Sequence, residues 1–171
     1  ICGLKRFAVD HADPMPAPVP AASTGKTVGI IGGGPGGLTA AYYLTQMGHQ
    51  VTVYEQRPQL GGMLRYGIPD YRLPHDILER DIDHIMSSGI KVITNVSIGK
   101  DVSMEDIQKS FDAVYISIGA HNDKKLGIEG EDAENVVSAV GLLRRIGEGD
   151  IPDFTGKKSA KEYLQGQCGY H

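Results

Sequence analysis

Six glycines fall within residues 29–37, where the apolar run of residues 27–31 meets a pattern of helical period carrying Leu38, Ala41, Tyr42 and Leu44. Three of them, Gly32, Gly34 and Gly37, spell G-x-G-x-x-G between a predicted strand and a predicted helix. Each has a physical reason. Gly32 permits the tight turn, Gly34 leaves room for a pyrophosphate to approach the backbone, and Gly37 lets the helix lie close to the strand. The free N–H groups and positive dipole end at Gly36 and Gly37 attract phosphate oxygens. Glu55 ends the next predicted strand at the expected spacing of about 20 residues, where a carboxylate accepts hydrogen bonds from ribose hydroxyls and repels a 2′-phosphate. The expectation is therefore FAD or NAD, and not NADP, at this turn.

The remaining chain alternates strands and helices. A second strand covers residues 51–55, a glycine-bearing loop residues 56–73, and Pro74 opens a helix with the apolar stripe Ile77, Leu78, Ile82, Ile85 and Met86 that stops at Gly89. A third strand spans 90–94, Ser103 and Asp106 imitate a capping box, a fourth strand spans 112–118 and a last helix 139–146. This order predicts an α/β fold, a Rossmann-like doubly wound parallel sheet. Before it, residues 1–10 read as the tail of an upstream domain or helix. Residues 11–26, with Pro14, Pro16, Pro18 and Pro20, read as a semi-rigid linker. The domain is expected over 27–158, followed by a tail over 159–171.

Composition narrows the functional classes. The chain's 23 glycines in 171 residues are nearly twice the ordinary share of about 7%, without the period of collagen. A net charge of −4 argues against nucleic acid as the main partner. No apolar run is long enough to enter a membrane. Two cysteines, Cys2 and Cys168, lack metal-ligand spacing, so no metal site is expected and a reducing, cytoplasmic setting fits. No catalytic triad or carboxylate pair is legible; with a flavin, the redox chemistry would belong to the cofactor. His75 and His84 read as solvated helix residues. His121, just after Gly119, could touch a cofactor but reads more simply as a loop histidine.

The run from Glu55, Gln56, Arg57 and Pro58 through Gly61-Gly62-Met63-Leu64-Arg65-Tyr66-Gly67-Ile68-Pro69-Asp70-Tyr71-Arg72-Leu73-Pro74 resembles the small-subunit family of NADPH-dependent glutamate synthase. The FAD region of dihydropyrimidine dehydrogenase and subunits of electron-bifurcating complexes are similar to it. The resemblance extends over residues 3–158. It implies an FAD-binding domain in a flavoprotein oxidoreductase that passes electrons between NAD(P)H and iron-sulfur or ferredoxin-type acceptors carried by other domains or subunits. By position, Gly32, Gly34, Pro35, Gly36 and Gly37 would face the FAD pyrophosphate and Glu55, with Gln56 beside it, the adenosine ribose. Gly62 and Met63 would approach the flavin side, Arg72 would bring a positive group near the cofactor, Ile98 would meet the adenine end, and Gly119 would allow close approach of the chain. Duller readings stay open: Met63 as gap-filler, Arg72 as a solvated charge with Arg65 competing for its role, Ile98 as a buried aliphatic.

The sequence departs from the family pattern after Gly156-Lys157-Lys158, where no second glycine fingerprint follows. The FAD site is accordingly expected to be incomplete, the chain being a fragment or a short subunit within a complex. Two other readings remain: an NAD-binding dehydrogenase domain, and a non-catalytic interaction subunit of a redox complex.

Overall fold

A computed structural model of the chain describes residues 1–12, 15–133 and 136–150. The expected domain limit at residue 158 and the tail over 159–171 lie outside the described residues. The elements run α1 (Cys2–Asp10), β1 (Thr27–Ile31), α2 (Pro35–Gln46), β2 (Gln50–Tyr54), α3 (Met63–Tyr66), α4 (His75–Met86), β3 (Lys91–Ile93), α5 (Met104–Ser110), β4 (Ala113–Ile116) and α6 (Ala139–Gly147).

The strands form one sheet in the order β3-β2-β1-β4, and every pairing is parallel. Parallel neighbours need a crossover. Helix α2 supplies it between β1 and β2, and α3 with α4 between β2 and β3. The connection through α5 then carries the chain back past β1 to pair β4 on its far side. One face of β1 and β2 is closed by the first two crossovers: Val28, Ile30, Val51, Val53, Ala41 and Ile90 form a buried cluster against which Leu44, Ile85 and Met86 pack. Burying a Val, Leu or Ile side chain contributes about 1.5–3 kcal/mol, so this cluster stabilises the fold substantially, together with a second cluster of Leu38, Leu78 and Ile82. On the other face Phe111 lies so close over Gly29 that a Cβ there would come within 2.7 Å of its ring, and Tyr54 meets Phe111 edge-on.

Local chemistry explains most element ends. Gly48, with φ +86°, stops α2, and its N–H donates to Thr45. The Ser103 hydroxyl accepts from the Asp106 N–H and donates to its carboxylate, so the box is closed side chain to side chain and not by a reach back to the backbone. Most strand limits shift by one or two residues, and two larger differences from expectation have a local cause. Helix α2 begins three residues before Leu38, because Pro35 stands at its first turn, where a missing N–H costs nothing. The expected loop over 56–73 contains α3, nucleated where Gly62, at φ 53°, turns the chain into it.

Candidate dinucleotide site

In an open parallel sheet the first positions beyond the strands' carboxyl ends diverge where strand order reverses, which here is between β1 and β4. A cavity of about 500 Å³ opens there. Its wall is built by the turns that follow all four strands: Gly32, Gly34, Pro35 and Gly36 after β1; Glu55, Gln56 and Arg57 after β2; Val96, Ser97 and Ile98 after β3; Ser117, Ile118, Gly119, His121 and Asn122 after β4. Gly62 and Met63 close one side.

The turn after β1 owes its shape to close approaches. Gly32 has φ +109°, and a Cβ there would lie 2.2 Å from the Ser117 carbonyl oxygen, so β4 leaves space only for glycine. A Cβ on Gly37 would stand 1.9 Å from the Gly32 carbonyl oxygen; Gly37 is buried and brings α2 down onto the strand end. Gly34 is different. It is the N-cap of α2, its φ of −79° suits any residue, and a Cβ would meet nothing nearer than Gly62 Cα at 3.7 Å. Among the described residues no side chain caps this helix, and no acid stands in its first turn, so its N–H groups and dipole can serve a ligand anion. The second glycine pair presses on the first: the Gly61 N–H donates to Gly33 O at 2.9 Å, and a Cβ on Gly62 would lie 2.7 Å from Gly34 Cα.

Glu55 is buried and pinned from both sides. Its N–H donates to Ile93 O and its carbonyl accepts from the Val96 N–H, which fixes it against the end of β3. Its carboxylate accepts from the Gly33 N–H at 2.7 Å and the Arg57 N–H at 2.9 Å. An ionised carboxylate takes about four such bonds, so capacity remains for a ribose diol. Arg57 pairs with Glu148 and lies over the Tyr66 ring, 4.8 Å from its centroid. Burial pushes the Tyr66 hydroxyl above its ordinary pKa, keeping it neutral, and it donates to Gln59 O.

Of the residues expected at the site, the structure brings all but Gly37 and Arg72 to the cavity wall. Arg72 is exposed on the turn before α4. Its competitor Arg65 is buried but committed elsewhere, donating to Leu60 O at 2.6 Å and pairing with Glu79. Sequence reasoning passed over Tyr54, Arg57, Val96, Ser97, Ser117, Ile118 and Asn122, and treated His121 as a loop residue. Their signal was positional: residues that follow parallel strands converge on one rim. Two buried nitrogens with no hydrogen-bond partner among the described residues, Arg57 Nε and His121 Nδ1, belong to residues of this wall. Unpartnered buried donors beside an uncapped helix and a half-used carboxylate fit a polar, anionic dinucleotide.

The family of NAD(P)-binding Rossmann-like domains matches residues 30–78. Among curated proteins the chain is 46% identical over 134 residues to the NADPH-Fe(3+) oxidoreductase subunit beta of Geobacter sulfurreducens, covering 75% of the chain and 20% of that protein. It is 40% identical over 146 residues to the glutamate synthase [NADPH] small chain of Mycobacterium tuberculosis, covering 84% of the chain and 30% of that protein. Over these residues the chain is similar to both NADPH-dependent oxidoreductase subunits. It spans between a fifth and a third of the length of these relatives. Among solved structures, Mycobacterium tuberculosis FprA in complex with NADPH superposes with a TM-score of 0.68 at 24% identity, over 77% of this chain and 32% of FprA, a likeness of fold. Among the described residues no helix is long and apolar enough to cross a membrane, and no three His, Cys, Asp or Glu gather as a metal site.

Proposed function

We propose that the chain is the FAD-holding domain of a flavoprotein oxidoreductase that passes electrons between NAD(P)H and iron-sulfur or ferredoxin-type acceptors. The observation that carries this reading is Gly34, a glycine that the fold does not need, with the space a side chain would take opening between the α2 N-terminus and Gly62. The similarity to the relatives supports it, and so do their names, an NADPH-Fe(3+) oxidoreductase subunit and a glutamate synthase [NADPH] small chain. In this reading the α2 N-terminus holds the diphosphate, Glu55 the adenosine ribose, the wall at Ile98 the adenine end, and Met63 stands on the flavin side. Arg72 would reach the cofactor only through movement of its exposed turn. Bound FAD would supply the two-electron chemistry, with the protein providing position and electrostatics. The NAD(P)H and iron-sulfur sites would lie on other domains or subunits, and the reading places the assembly in the cytoplasm, where thiols such as Cys2 stay reduced.

Equilibrium titration tests it. FAD should saturate the chain with quenching of flavin fluorescence, and excess NADH should not displace it. NADH binding in preference to FAD would replace this reading with that of an NAD-binding dehydrogenase domain; binding of neither would leave the interaction subunit.

A further inference from the structure

Two residues apart on the rim after β2 stand side chains with opposite preferences for a dinucleotide. A carboxylate such as that of Glu55 takes a ribose 2′-hydroxyl, whereas an arginine near the same ribose accommodates a 2′-phosphate. Arg57 is placed for the second role: it lines the cavity, and its own N–H donates to Glu55 Oε1 at 2.9 Å, so the end of its side chain is within reach of that carboxylate. The structure engages the guanidinium elsewhere. Its Nη1 donates to Glu148 Oε1, and its central carbon lies 4.8 Å from the Tyr66 ring centroid. With the Arg57 side chain only 15% exposed, this pair is better shielded from water and salt than a surface pair.

Glu148 is brought to this place by α6, of which it is the C-cap. A carboxylate there faces the negative pole of the helix dipole, an unfavourable position unless a cation answers it. Gly147 sets the end of α6 against α3, so closely that a Cβ would lie 2.8 Å from Arg65 O and 2.9 Å from Tyr66 Cα. Arg144 and Arg145 are committed to the His121 carbonyl and to Asp150, which leaves Glu148 to Arg57. Resting on the dinucleotide reading above, we propose that Glu148 is a specificity-determining residue, a positioning residue that acts through Arg57. It neutralises the guanidinium and holds it on Tyr66, so that Glu55 keeps its remaining capacity for a 2′-hydroxyl and a 2′-phosphate finds no cation. With the pair broken, the guanidinium has two other partners: the Glu55 carboxylate, which it would take from the ribose diol, and the 2′-phosphate itself. Both changes move the preference of the site the same way, from ADP-ribose toward its 2′-phosphate.

The test uses the full chain, its E148A, E148Q and R57Q variants and the double variant R57Q/E148A, with thermal unfolding as the folding control. Affinities for ADP-ribose and for ADP-ribose 2′-phosphate are read by competition with FAD, whose binding is followed by flavin fluorescence. The ratio of the two affinities decides, because a merely structural ion pair would change both together. E148A should shift the ratio toward the 2′-phosphate by about tenfold, the scale of a hydrogen bond to a charged group. E148Q, which keeps an acceptor oxygen but no charge, should shift it the same way by less. In the R57Q background E148A should shift it no further. An unchanged ratio in E148A and E148Q would overturn the proposal. So would an equal shift in the R57Q background, which would mean that the Glu148 charge acts on the phosphate without Arg57. Failure of the unaltered chain to bind FAD or ADP-ribose overturns the dinucleotide reading itself, and the proposal with it.

Discussion

At the scale of single residues the two glycines Gly34 and Gly37 make opposite demands. A methyl group on Gly37 would stand 1.9 Å from a backbone oxygen that cannot move without opening the β1 turn. Gly37→Ala should therefore destabilise the chain by about 3 kcal/mol, the upper end for overpacking, seen as a lowered urea midpoint. Gly34→Ala should leave that midpoint unchanged and weaken FAD binding by about tenfold or more. The G-x-G-x-x-G spacing made both residues legible as a pair, but their separation into a fold glycine and a ligand glycine needs the distances. Glu55 was legible for the same reason, from its spacing. Its second task, clamping the Gly33 and Arg57 N–H groups, was not, because a side chain's bonds to turns depend on how two strand ends meet. Arg72 and Arg65 show the converse: two arginines seven positions apart look alike in sequence, and only burial shows that one is committed to Leu60 and Glu79 while the other faces solvent.

At the scale of elements, the apolar periods placed β1 to β4 and the cores of α2 and α4 within a few residues, since buried strands and amphipathic helices write their faces into the chain. The short α3 escaped because four residues carry too little period, and its start is set by Gly62. The lower end of the β1–β4 pair is held by Asp112, whose carboxylate accepts from the Thr27 N–H and hydroxyl and from Lys26. The Thr27 N–H above all, then Lys26 and the Thr27 hydroxyl, lower its pKa from 3.8 to about 2. A carboxylate depressed on folding stabilises above its unfolded pKa and loses that contribution as pH falls through the folded value. Asp112→Asn should thus lower the urea midpoint at pH 6, and the gap to the unaltered chain should narrow as pH falls from about 4 toward 2. A gap independent of pH would mean that the ionised carboxylate contributes nothing.

At the scale of the molecule, function follows from strand order. Alternating strands and helices made a parallel sheet legible, but not that the connection through α5 carries the chain back across β1. That crossing creates the reversal at which Ser117, Gly119 and His121 come to face the glycine turn. This is why the residues after β3 and β4 were the ones sequence reasoning under-read: their role is conferred by neighbours far away in the chain. The proposed function turns on this crevice holding FAD. The most direct measurement is the visible absorption of the protein purified with its native partners, together with chromatography of whatever is released on denaturation. Flavin absorption bands and release of FAD are expected, both diminished in Gly34→Ala. A colourless protein that releases no flavin, or one that releases NAD in its place, would contradict it.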